Sequence, residues 1–75
     1  MNEYERAKAA KKGAIMVKAM VDAGLSEGAL ARKSGLPLLT VRKAMAGGQL
    51  SGVIYDGLIK ACEEEVARRH GGRLT

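Results

Sequence analysis

The sequence has no phenylalanine and no tryptophan, and its two tyrosines leave aromatic residues at 3% of 75. A core without large rings must be built from Leu, Ile, Val, Met and Ala. Those types, with ten glycines and a single proline, suit short helices better than a sandwich of strands. Cys62 is the only cysteine, so no intrachain disulfide can form. Its thiol is expected to act as a small core hydrophobe in a reducing, cytoplasmic setting. One Cys and one His, His70, cannot complete a tetrahedral metal site. No nucleophile–base pair, phosphate-cradling loop or paired-carboxylate cleft is recognisable, so the chain reads as a non-enzyme with no cofactor and no small-molecule substrate. The apolar run at residues 14–17 falls far short of the roughly 20 residues that span a bilayer. The opening "MNEYERAKAAKK" lacks the apolar stretch of an export signal.

Positive charge, by contrast, is abundant. Lys and Arg number 13 against 8 acids, for a net charge of +5, and the pI is near 9.7. A basic domain of this size points to nucleic acid or another anionic surface. Seventy-five residues make one domain, which buries only about 60% of its unfolded surface and so has a thin stability margin.

Apolar periodicity predicts an all-α bundle of four to five short helices. Residues 3–23 read as one helix in two moods: "EYERAKAAKK" is polar and basic, whereas "AIMVKAMVDA" is apolar almost all round and reads as buried. Lys18 and Asp22 stand as an i,i+4 pair, and Gly24 ends the helix. Ser26 is a natural N-cap, with Glu27 in the first turn where the dipole favours an acid. A short helix over 27–34 turns Leu30 and Ala31 inward. Gly35-Leu36-Pro37 breaks the chain, and a further helix runs from about Leu38 to Ala46, ended by Gly47-Gly48. From Ser51 to His70, Ile54, Leu58, Cys62 and Val66 recur every four positions, with Tyr55 and Ile59 widening the stripe. Gly57 leaves open whether this is one helix or two. Gly71-Gly72 is expected to end it, with residues 71–75 as a frayed tail.

Two helices separated by so short a break must cross sharply, at about 90–120°. Such a crossing needs a small residue at the closest approach (Ala31), a residue free to take positive φ in the turn (Gly35), and aliphatics that enter a shared core (Leu36, Val41). The stretch "LSEGALARKSGLPLLTVRKAMAGG" resembles the helix-turn-helix of the lambda-repressor and Cro-like family. Leu25, Leu30, Ala31, Gly35, Leu36 and Val41 match its structural pattern, and the resemblance covers roughly residues 14–66. It implies a small DNA-binding transcriptional regulator of phage or mobile-element type, working as a homodimer on double-stranded DNA. The helix from Leu38 would lie in the major groove, presenting Leu38, Leu39, Thr40, Arg42, Lys43 and Ala46. Arg42 and Lys43 would read guanine or hold phosphate. Thr40 would offer its hydroxyl to phosphate or its methyl to thymine. Arg32 and Lys33 are either phosphate contacts or solvated charges. The same choice holds for Arg6, Lys8, Lys11 and Lys12, which form either a basic arm along DNA or a solvated face.

The chain departs from the family at two places. Leu38 and Leu39 stand where polar side chains are usual; they would touch thymine methyls or be buried against a neighbouring helix or a partner chain. Glu27 replaces a Gln that often donates to phosphate, and its carboxylate would repel the backbone while supporting its own helix. The acidic run Glu63-Glu64-Glu65 reads as a solvated face, or as partners for Arg68 and Arg69. The stripe from Ile54 to Val66 is a candidate dimer surface. A rival reading makes the motif a scaffold for protein–protein interaction, with Leu38, Leu39 and Met45 as an exposed apolar patch.

Overall fold

Asn2 provides the first capping oxygen: its Oδ1 accepts the Glu5 N–H at 2.8 Å and starts α1 (Glu3–Ala23). The computed structural model describes residues 2–74, with side chains as far as Arg69. The expected role of His70 as a cation at a helix end therefore lies outside the described side chains. After α1 come α2 (Glu27–Ser34), α3 (Leu38–Met45) and α4 (Gly52–Leu74), and no strand occurs among the described residues. Among the described residues, no helix is long and apolar enough to cross a membrane.

The cap at Ser26 and the breaks at Gly24 and Gly35 fall where the sequence places them. Gly24 takes φ 66° and closes α1, its N–H reaching the Val21 carbonyl while Leu25 N–H reaches Met20. Ser26 Oγ accepts the Ala29 N–H at 3.1 Å to open α2. Gly35, at φ 73°, ends it, and both Gly35 and Leu36 donate to the Ala31 carbonyl. Three residues, Gly35 to Pro37, separate α2 from α3. Ser51 Oγ accepts the Ile54 N–H at 3.2 Å and begins α4.

The core takes one stripe from each helix. Met16, Met20 and Ala23 come from α1, Leu30 from α2, Val41 and Ala44 from α3, and Leu58, Ala61 and Cys62 from α4. Leu25, Ala31, Leu36, Met45, Tyr55, Ile59 and Val66 pack around these residues. Burial raises the pKa of the Cys62 thiol, Glu63 adds to the rise and Lys33 opposes it, so the group stays neutral and packs as a hydrophobe.

Several expectations need correcting. The second half of α1 is not buried all round: Ile15, Val17 and Val21 are exposed, Val21 at 72%. Helices α3 and α4 cover only one side of α1, so the apolar residues outside that side remain in water. The question Gly57 left open is answered by a single helix from Gly52, and contrary to expectation it runs through Gly71 and Gly72 to Leu74. Neither glycine takes the left-handed conformation that would turn the chain, so the helix continues past both. Part of the α4 stripe is used within the chain. Leu58 and Cys62 are fully buried in the chain's own core, and Ile59 and Val66 pack beside them.

One contact is between main chains. A Cβ added at Gly13 would meet the Met45 carbonyl oxygen at 2.6 Å, and one at Gly47 would clash with the Ala9 carbonyl. Gly47 also holds φ 75° as the C-cap turn of α3, with Gly48 N–H bonded to Lys43 O at 2.8 Å. Any side chain at either glycine would push α1 away from the exit of α3.

Candidate nucleic-acid interface

Helix α3 is held by its inner face and displayed by its outer one. Val41 and Ala44 are buried, one turn apart, beneath it. Leu39, Arg42, Lys43 and Ala46 are all exposed, and their i, i+3, i+4, i+7 spacing puts them on the opposite side. Leu39 is 75% exposed. Leu38, at 37%, lies at the edge of this face, and Thr40 is half-buried on its other flank. Ala46 falls just past the helix end, which comes at Met45, one residue earlier than expected. Met45 is half-buried and packs on the core, so it does not join Leu38 and Leu39 in an exposed patch.

The two cations of this face have different neighbours. Arg42 Nε donates to Glu27 Oε2 at 3.3 Å, an ion pair that links α3 to the first turn of α2. The pair is largely exposed and contributes at most about 1 kcal/mol. It was not anticipated from the sequence, because the two residues lie 15 positions apart. Lys43 lies along Gly48, where an added Cβ would meet its Cγ at 2.5 Å. Both cations also sit in the last turn of α3, where the helix dipole favours positive charge.

On α2, Arg32 is exposed, with its guanidinium about 3.6 Å from where a Cβ at Gly28 would be. Lys33 is committed elsewhere: its Nζ is 3.9 Å from Glu65 Oε2 on α4. Glu65 corrects the reading of the acidic run as a solvated face. Glu63 and Glu64 are exposed, but Glu65 is 7% exposed and is approached by Lys33, Arg68 and Arg69. The Arg68 guanidinium bonded to its carboxylate holds the Glu65 pKa below the usual glutamate value, against the upward push of burial. The charges of Arg68, Lys33 and Arg69 act in the same direction as that bond. Buried carboxylates need such partners. The signal for this cluster lay in the i+3 and i+4 spacing of Arg68 and Arg69 from Glu65; Lys33 gave none, because its contact is tertiary.

No protein-family model, curated protein or solved structure matches the chain.

Proposed function

We propose that this chain is a small sequence-specific DNA-binding transcriptional regulator of the Cro or repressor type, with α2, the Gly35 turn and α3 as its helix-turn-helix. The observation that carries the reading is the outward face of α3: Leu39, Arg42, Lys43 and Ala46 exposed on a helix whose inner face is anchored by Val41 and Ala44. The sharp α2–α3 break and the net charge of +5 support it. In this reading α3 enters the major groove, Arg42 and Lys43 meet guanine edges or phosphates, and Leu39 meets thymine methyls. Thr40 and Leu38 flank the contact, and Arg32 touches the backbone. Lys33 is the weakest of the proposed contacts, because Glu65 already engages it. Two copies on neighbouring half-sites make up the functional complex.

The test is fluorescence anisotropy of a labelled mixed-sequence duplex at about 50 and 200 mM salt. Four phosphate contacts predict a roughly hundredfold loss of affinity between those salts. The Arg42→Ala/Lys43→Ala protein, checked for its fold by circular dichroism, should fail to bind at both.

A second reading has its own observation. Leu39 at 75% exposure and Leu38 beside it form an apolar edge fit for a protein partner, now without Met45. Binding of that kind is nearly indifferent to salt, and absence of duplex binding at low salt would select it.

A further inference from the structure

The densest run of lysines lies outside α2 and α3, in the first half of α1, and the fold brings one side of that segment to the exit of α3. The main chain at Ala9 and Gly13 rests on residues 45–47. Lys8 and Lys12, one turn apart on α1, therefore face residues 47–51 across an open cleft of about 620 Å³. Lys43 of α3 lies along Gly48, which lines the cleft, but is not itself a lining residue. Lys12 is held in place twice: its Nζ sits 5.5 Å above the Tyr55 ring, and Tyr55 Oη donates to its carbonyl at 2.9 Å. Lys8 and Lys12 outnumber Glu5, the one acid among the lining residues, and set the sign of the cleft.

We infer that this cleft takes a DNA phosphodiester backbone and extends the footprint of α3 by the two charges Lys8 and Lys12. The inference rests on the DNA-binding reading of α3. An open cleft with two cations along its α1 wall suits a linear polyanion. Side chains at i and i+4 are about 6 Å apart, which covers roughly two phosphates at 3.4 Å of axis each. The contact is to backbone and carries no base preference.

The experiment is the salt dependence of duplex binding by wild type and by Lys8→Ala/Lys12→Ala. The slope of log K against log salt should become shallower by about two in the double variant, with equal weakening on unrelated duplexes. Lys8→Ala alone, which leaves Lys12 over Tyr55, should remove about one unit and separates charge from folding. Lys18→Ala, at the far end of α1 and paired with Asp22 at 3.2 Å, should leave the slope unchanged. A wild-type slope in the Lys8→Ala protein overturns the inference, as does a double variant that is folded by circular dichroism yet keeps that slope. If duplex binding is lost in Arg42→Ala/Lys43→Ala but unchanged in Lys8→Ala/Lys12→Ala, only this inference falls. If wild type binds no duplex at low salt, the reading of α3 falls with it.

Discussion

Helices α2 and α3 are both eight residues long and pack side by side, yet they use their residues in opposite ways. In α2 the polar groups other than the exposed Arg32 are taken up internally. Ser26 caps its start, Ser34 Oγ donates to the Ala31 carbonyl at its end, Glu27 pairs with Arg42, and Lys33 leans on Glu65. In α3 the start is Pro37, which offers no side-chain cap, and the first turn carries no acid. Its stability comes from Val41 and Ala44 below, while Leu39, Lys43 and Ala46 face water. The lesson is one of division: α2 works as a clamp between α3 and α4, and α3 works as a displayed surface.

Breaking the clamp at its buried anchor should have the largest effect. Leu30→Ala removes a fully buried side chain and should cost about 2–5 kcal/mol, enough to abolish a cooperative thermal transition in so small a domain. A melt little changed from wild type would mean that α2 is not anchored there. The charge side of the clamp should be visible through pH. The pKa of Glu65 is lowered in the folded chain, so its contribution is present above the unfolded glutamate value of about 4.3 and is lost as pH falls through the lowered value. Urea midpoints of wild type and Glu65→Gln should therefore differ at neutral pH and converge in acid; a gap of equal size at both would deny the charge any part. The smallest effect on stability should come from Glu27→Gln, which removes an exposed pair and should cost under about 1 kcal/mol. The same change frees Arg42 from a competing carboxylate. Duplex affinity should rise while the melting temperature barely moves, and unchanged affinity would detach Glu27 from the α3 surface.

Most of this division was legible in the sequence, because it follows from local spacing. Ser26, Gly35 and the inward series Leu30, Leu36, Val41 are set by caps and turn geometry acting within a few residues. The exposed face of α3 follows from the same register. What escaped was tertiary. Glu27 and Arg42 are too far apart in sequence for helical spacing to link them, and Lys33 meets Glu65 only after α4 folds back. Gly13 stands between the polar and the apolar half of α1, and the reason for it, the close approach of residues 45–47, belongs to another part of the chain. Ile15, Val17 and Val21 misled for a related reason, since a helix apolar on every side cannot tell which side its neighbours will cover.

The contact of Ala9 and Gly13 with residues 45–47 has a consequence for how such a chain can vary. It joins main chain to main chain, so the pose of α3 relative to α1 does not depend on the rotamer or charge of any surface residue nearby. Lys8, Lys11 and Lys12 can be exchanged for neutral or acidic residues without tilting the displayed helix. Overall attraction to a polyanion and the aim of α3 are thus separately adjustable, the first by many interchangeable surface positions and the second by two glycines that admit no substitute.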